Sequence, residues 1–347
     1  MGILYLIEPQ AIVHKEGGRF LVKKNGELLH SVHIAKLEQV IVAGPVMFTP
    51  AAIKTLLREG IDTIFSDNTG RYYGRLDGPE SKNIFLRKSQ FRRHDDEAFG
   101  LAFAKAVVRG KLRNQRVVLS RIQKNHKGVE ITQPIAILSR LIERIDKAAN
   151  LNELRGYEGQ GAAIYFKAWG QGFKADGITF TSRQRRPPKD PVNALLSLGY
   201  TFLLHTVARA VNLAGIDPYL GFLHTVDYGR PSLVLDLMEE WRPVLIDTLV
   251  LSVFNLGVIK TDDFMECRGE DVEDGDDAAS SEGRGIRLTS AGWRKFIAQY
   301  ERRMADKVVF HLDGMEYSYR DVIMRQIRHF VQYLKGDVKD YTPFPIR

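Results

Sequence analysis

The chain has 347 residues, of which 44% are hydrophobic and 27% are charged, a composition typical of a soluble globular protein with sizeable cores. Its 50 Lys and Arg residues outnumber its 42 Asp and Glu residues, and a single cysteine, Cys267, excludes an intrachain disulfide and a cysteine-based zinc site. The length predicts two domains. The net charge of +8 favours a polyanionic partner such as nucleic acid, although many basic proteins have no such partner.

Residues 1–84 are predicted to form a small β-rich domain. Short runs that are rich in β-branched residues alternate with turn signals, and Asn25-Gly26 between two such runs indicates a hairpin. One helix is predicted to interrupt the strands, because Thr49 supplies an N-cap and Pro50 suits the first helical position.

Residues 85–347 show helical periodicity and are predicted to form a larger all-α domain, so the expected fold class is α+β with two domains. The segment 262–286 is acidic and rich in Gly and Ser, which predicts a flexible loop. No stretch resembles a signal peptide or a membrane span of about 20 apolar residues. We therefore expect a cytoplasmic protein that does not enter a membrane.

The stretch Gly221–Pro243 places a histidine near several carboxylates. His224 precedes a Gly-Arg-Pro turn, and a predicted helix follows. Spacings of three and four residues place Asp236 on one helix face with Glu239 and Glu240. The apolar neighbours of these acids would bury them, so the acids need a partner. One imidazole with several carboxylates suits Mg²⁺ or Mn²⁺ better than structural zinc.

The same acids have a second interpretation, because Arg230 or Arg242 would satisfy them as ordinary salt bridges. A further acid, Glu158, lies between Gly156 and Gly159, and such small residues leave room for a ligand or metal to approach. Its other interpretation is an acid at a helix start that interacts favourably with the helix dipole. Local pattern alone leaves both interpretations open.

Basic side chains cluster near the predicted domain junction and in a loop between apolar segments. Cations in such groups bind phosphates without reading sequence, so they indicate a generic DNA or RNA surface, and a solvated linker is the alternative. The residues predicted to contact DNA are Arg87, Arg92, Arg93, Arg183, Arg185, Arg186 and Lys189. Lys111, Arg113 and Arg116 mark a further basic helix segment.

Three motifs in order resemble the CRISPR-associated integrase family that is responsible for spacer acquisition. They are RGYEGQGAAIYF, DPVNALLSLGYTFL and GFLHTVDYGRPSLVLDLMEEWRP, with KLRNQRVVL ahead of them, and the resemblance covers essentially the whole chain. It implies that Glu158, His224 and Glu239 bind a divalent metal ion, with Asp236 as an additional active-site acid. Glu240 is adjacent to Glu239, so the choice between these two as the ligand stays open.

The resemblance also implies a reaction and partners. The reaction is metal-dependent transesterification, in which the 3′-hydroxyl of a protospacer attacks a phosphodiester at a CRISPR repeat. Hydroxide in place of that hydroxyl gives DNA cleavage. The implied partners are double-stranded DNA, a second copy of the chain bound through the β domain, and a small dimeric CRISPR-associated adaptor protein. The alternative is a basic nucleic-acid-binding scaffold without catalysis, in which the acids form only salt bridges.

Overall fold

A computed structural model describes residues 2–67, 72–78, 83–126, 128–184, 188–267 and 285–346. The chain divides into two compact units, Met1–Ser81 and Lys82–Arg347. Strands dominate the first unit and helices the second, so the fold is a mixed α and β fold.

The first unit contains two four-stranded sheets among its described residues. One sheet has the order β1-β5-β7-β8, in which β1, β5 and β7 are parallel and β8 is antiparallel to β7. The other has the order β4-β3-β2-β6, in which β6 is parallel to β2 and the remaining pairs are antiparallel. The elements are β1 (Gly2–Leu6), β2 (Ile12–Glu16), β3 (Arg19–Lys24), β4 (Glu27–His33), β5 (Leu37–Ala43), β6 (Met47–Phe48), α1 (Pro50–Arg58), β7 (Asp62–Ser66) and β8 (Tyr72–Leu76).

Local sequence explains two features of this unit. Asn25 and Gly26 both adopt positive φ, 51° and 83°, as a tight turn between β3 and β4 requires, so the predicted hairpin is confirmed. The predicted helix is also confirmed, because the Thr49 side chain accepts a hydrogen bond from the Ala52 N–H and Pro50 opens α1. Apolar side chains from the strands and α1 form the core, among them Leu4, Leu6, Val13, Phe20, Val22, Val40, Val42 and Leu56.

The second unit is built around α3, a helix of 29 residues that packs against α4 and α5. The apolar helix α6 packs against α7 and α10. By length and composition α6 could cross a membrane, but 67% of its most apolar window is buried inside the unit, as in the core helix of a soluble protein. The helices are α2 (Ile84–His94), α3 (Glu97–Asn125), α4 (Thr132–Arg144), α5 (Leu151–Trp169), α6 (Pro191–Ala214), α7 (Ser232–Met238), a π-helical turn (Arg242–Asp247), α8 (Thr248–Asn255), α9 (Ser290–Ala305) and α10 (Tyr319–Lys335).

The predicted all-α character of this unit is wrong, because it contains two antiparallel strand pairs. These pairs are β9 (Phe264–Cys267) with β10 (Gly285–Leu288), and β11 (Lys307–Val309) with β12 (Glu316–Ser318). Strands of three or four residues are too short for an alternating pattern to stand out in the sequence. The flexible loop predicted at 262–286 is therefore wrong at both ends, where β9 and β10 pair, and its residues 268–284 lie outside the described part of the chain.

Candidate metal centre

The loop that carries His224 is held against α7 by one buried carboxylate. Asp236 accepts hydrogen bonds from the backbone N–H groups of Phe222 (2.6 Å), Leu223 (2.9 Å) and His224 (2.9 Å). Gly221 permits this close approach, because a Cβ there would lie 2.6 Å from the backbone at the N-terminal end of α7. The position of the loop therefore depends on both Asp236 and Gly221.

The same carboxylate also orients the imidazole ring. His224 Nδ1 lies 2.6 Å from Asp236 Oδ1, and His224 Nε2 lies 3.8 Å from Glu239 Oε1. A carboxylate oxygen at this distance accepts a hydrogen bond from Nδ1–H, and this tautomer of an imidazole ring leaves Nε2 to present its lone pair. Asp236 is fully buried, so its contacts are with the loop and the ring and not with solvent.

Helices α2 and α5 each hold the loop through a side-chain hydrogen bond to its backbone. Gln90 of α2 donates a hydrogen bond to the carbonyl oxygen of Asp217 (2.9 Å), and Arg155 of α5 donates one to that of Leu223 (2.8 Å). Glu158 follows Arg155 by three residues on α5, so the helix that carries Glu158 also anchors the His224 loop.

Glu158 lies in the interior of α5, since Asn150 caps the helix several residues earlier. The interpretation of Glu158 as an acid at a helix start is therefore wrong. The glycine-rich run does not end the helix, and one of its glycines serves the packing of α5 against α3. A Cβ at Gly161 would clash with Leu112 of α3, so a small residue is required where the two helices meet.

Lys111 of α3 lies between two of the predicted ligands. Its ammonium Nζ forms ion pairs with Glu158 Oε1 and with Glu239 Oε2, the latter at 2.6 Å, and its side chain is only 9% exposed. Burial alone would lower the pKa of Lys111, but the carboxylates of Glu239 and Glu158 outweigh burial and raise that pKa above its ordinary value. The sequence interpretation of Lys111 as part of a basic surface segment is therefore wrong.

Glu239 and Glu240, which follow the last residue of α7, face different surroundings. Glu239 Oε1 lies 3.2 Å from Arg242 Nε, and although burial opposes this, the charges of Arg242 and Lys111 lower the pKa of Glu239 below its ordinary value. The Glu240 carboxylate instead accepts hydrogen bonds from the Tyr341 hydroxyl (2.8 Å) and from a backbone N–H of the segment after α10. Burial raises the pKa of Glu240 to about 8. The prediction that Asp236 shares one face with both glutamates is therefore wrong for Glu240.

Glu158, His224 and Glu239 thus come from three separate segments: both glutamates contact the Lys111 ammonium, and His224 Nε2 lies 3.8 Å from Glu239 Oε1. Within the described ranges, no group of three or more His, Cys, Asp or Glu side chains has a geometry that could hold a metal ion. At the predicted site, the Lys111 ammonium lies between two of the predicted ligands. The donor set nevertheless fits Mg²⁺ or Mn²⁺, because two carboxylates already share one cation and an imidazole nitrogen lies 3.8 Å from one of them. The alternative interpretation also has support, since Arg242 pairs with Glu239 as an ordinary salt bridge.

The predicted DNA contacts differ in their surroundings. Arg183 donates a hydrogen bond to Ser197 Oγ (3.0 Å) and has its guanidinium 5.5 Å from the Tyr200 ring centroid. Arg93 has its guanidinium 5.0 Å from the Phe99 ring centroid. Both side chains have internal partners, and their contact with DNA stays a prediction. Arg92 and Lys189 are exposed, Arg87 is half-buried, and Arg185 and Arg186 lie outside the described residues.

Comparison with known proteins identifies the family. The sequence profile of a family described as "CRISPR associated protein Cas1" matches residues 4–302. The chain belongs to the Cas1 family. One Cas1 relative, the CRISPR-associated endonuclease Cas1 3 of Thermus thermophilus, is 36% identical, and the match covers 100% of this chain and 98% of the relative. The family predicted from the three motifs is therefore confirmed.

Solved structures share the fold of this Cas1 family member. A casposase bound to an integration product has a TM-score of 0.83 at 22% identity, over 99% of this chain and 93% of the casposase chain, which shows likeness of fold alone. A chain of a Cas6-RT-Cas1–Cas2 complex has a TM-score of 0.81 at 26% identity, over 100% of this chain and 36% of that chain.

Proposed function

We propose that the chain is a DNA endonuclease and integrase of CRISPR adaptation, which joins the 3′-hydroxyl ends of a protospacer to a CRISPR repeat by transesterification and also cleaves DNA. Its membership in the Cas1 family and its identity with a relative named as an endonuclease support this function. The observation that carries the proposal is that Glu158 and Glu239 share one buried cation while His224 Nε2 lies 3.8 Å from the Glu239 carboxylate.

Glu158, His224 and Glu239 would hold Mg²⁺ or Mn²⁺. A divalent ion there supplies a Lewis acid for the negative charge that develops on a phosphodiester under attack, and it lowers the pKa of the attacking hydroxyl or water. Asp236 positions the imidazole through Nδ1, so that Nε2 is available as a ligand. The Glu158 side chain is 28% exposed while that of Glu239 is 4% exposed, so substrate approaches from the Glu158 side.

The proposed partners are double-stranded DNA, a second copy of the chain that binds through the β-rich domain, and a small dimeric adaptor protein. The basic net charge supports a polyanionic partner, and exposed Arg92 and Lys189 are the strongest described candidates for phosphate contact. The similarity to a chain of a complex that contains Cas2 supports the adaptor. We place the protein in the cytoplasm, where CRISPR DNA is found.

The test is an integration and cleavage assay with the purified protein, its adaptor and a supercoiled plasmid that carries a CRISPR array. The substitutions Glu158→Gln, His224→Ala and Glu239→Gln should each reduce joining and cleavage by about 100-fold or more, since each removes a metal ligand. EDTA should abolish both activities. DNA binding, measured by gel shift, should be largely retained in all three variants.

The matched control is Glu143→Gln, which changes an exposed glutamate on α4 and should leave both activities intact. Full activity of all three ligand variants, or of the wild type in EDTA, would contradict the metal-site assignment. Retained DNA binding without any joining or cleavage by the wild type would favour the scaffold alternative.

A further inference from the structure

We propose that Lys111 is an internal substitute for the metal ion. In the metal-free protein its ammonium neutralises Glu158 and Glu239, and a divalent ion must displace it in order to bind. The inference rests on the proposed metal site, and the starting observation is that one ammonium contacts both predicted carboxylate ligands.

The charges of the site explain why a cation lies there. Two ionised carboxylates that are brought together in a poorly hydrated place repel each other, and each loses the hydration that it has in water. Lys111 supplies the compensating charge from α3, a helix that packs directly on α5. The two carboxylates are thus held close together beside one cation, which is also the arrangement in which they would bind a metal ion.

A second cation at the site, Arg242, is held in a different way from Lys111. Its Nε lies 3.2 Å from Glu239 Oε1, and its guanidinium lies 4.8 Å from the Tyr200 ring centroid, a cation–π arrangement that fixes the plane of the group. Lysine in contrast ends in a compact ammonium on a flexible four-carbon stem. Of these two cations, Lys111 is therefore the one that can withdraw when a metal ion enters.

The solvent-exposed side of Glu158 leaves room for that withdrawal. The Glu158 side chain is 28% exposed, so the space beside it opens to solvent. When the metal ion binds Glu158 and Glu239, the Lys111 ammonium moves toward this space, where it regains contact with solvent. The measured affinity for metal ions is then lower than the intrinsic affinity, because only molecules with a displaced lysine are competent to bind.

The first experiment measures Mn²⁺ binding by isothermal titration calorimetry on the full chain at neutral pH. Lys111→Met should bind Mn²⁺ about tenfold more tightly than the wild type, a difference of about 1.4 kcal/mol. In EDTA the same variant should unfold at a lower temperature than the wild type, because its carboxylates then lack a counter-charge. The control is Lys105→Met, since Lys105 lies on the same helix but donates to the backbone oxygen of Asp146.

A second experiment uses only the wild type. It separates displacement of the Lys111 ammonium by Mn²⁺ from the general effect of removing a positive charge from the site. The wild type is treated with a lysine-acylating reagent with and without Mn²⁺, and the modified sites are quantified by mass spectrometry. Modification of Lys111 should be slow in EDTA and should rise severalfold with Mn²⁺, whereas Lys105 should react equally in both.

The outcomes distinguish this inference from the proposed function. Suppose that the wild type binds Mn²⁺ and that His224→Ala does not. The inference alone is then overturned if Lys111→Met binds Mn²⁺ no more tightly than the wild type and if the labelling of Lys111 is the same with and without Mn²⁺. If neither the wild type nor Lys111→Met binds Mn²⁺, the proposed metal site fails and the inference fails with it.

Discussion

Replacement of Glu240 by Ala tests which of two adjacent glutamates is structural. The Glu240 carboxylate accepts hydrogen bonds from the Tyr341 hydroxyl (2.8 Å), from the backbone N–H of Phe344, and from Gln326 Nε2 at the limiting distance of 3.5 Å. These groups join the segment after α10 to the helical core, and Gly110 gives that segment space because a Cβ there would clash with Pro343.

The magnitude follows from the donors that the substitution leaves unsatisfied. Tyr341 and Phe344 are both buried, and a buried donor without a partner costs about 1–3 kcal/mol, so Glu240→Ala should reduce the free energy of unfolding by about 2–6 kcal/mol. Asn114 still donates to the carbonyl oxygens of Glu240 and Phe344, both at 2.9 Å, so the segment stays partly attached. Glu240→Gln keeps an acceptor oxygen and should cost less than the alanine variant.

The assay is urea unfolding followed by circular dichroism at neutral pH in EDTA, with Mn²⁺ titration as a second measurement. Glu240→Gln should bind Mn²⁺ like the wild type, whereas Glu239→Gln should bind it much more weakly. A change below about 0.5 kcal/mol for Glu240→Ala, the range of an ordinary surface substitution, would refute the structural role. Loss of Mn²⁺ binding in Glu240→Gln would refute the assignment of Glu239 over Glu240.

Two further predictions concern other buried acids. Asp236→Asn should weaken Mn²⁺ binding by about 10–100-fold, because the amide no longer holds the His224 Nδ1–H as a carboxylate does, and unchanged affinity in a calorimetric titration would contradict this positioning role. Burial raises the pKa of Asp247 from 3.8 to about 6. Between these two pH values, the folded state keeps a proton on Asp247 that the unfolded chain has lost. The contribution of Asp247 to the free energy of unfolding is therefore fully present below the pKa of this group in the unfolded chain. As the pH rises through its pKa in the folded state, a contribution on the order of 3 kcal/mol is lost. Asp247→Asn does not titrate, so the wild type should lose stability relative to it between acidic and neutral pH. A difference in unfolding free energy that is independent of pH would refute this.

The sequence by itself determined the features that depend on neighbouring residues. The hairpin at Asn25 and Gly26 requires only two positive φ angles, and the cap of α1 by Thr49 requires only a hydroxyl near the first free N–H groups. The order and spacing of the motifs around Glu158 and His224 likewise identified the family before any contact was known, since motifs are read along the chain.

Only the tertiary structure decided which side chains share a site. Lys111 resembles its basic neighbours in sequence, yet the packing of α3 against α5 buries it between two acids. Glu239 and Glu240 have nearly identical local surroundings in sequence, but one faces Lys111 and the other faces a segment about a hundred residues later. These outcomes depend on contacts between residues far apart in the chain, and local periodicity carries no information about which distant segment will fill the space beside a given side chain.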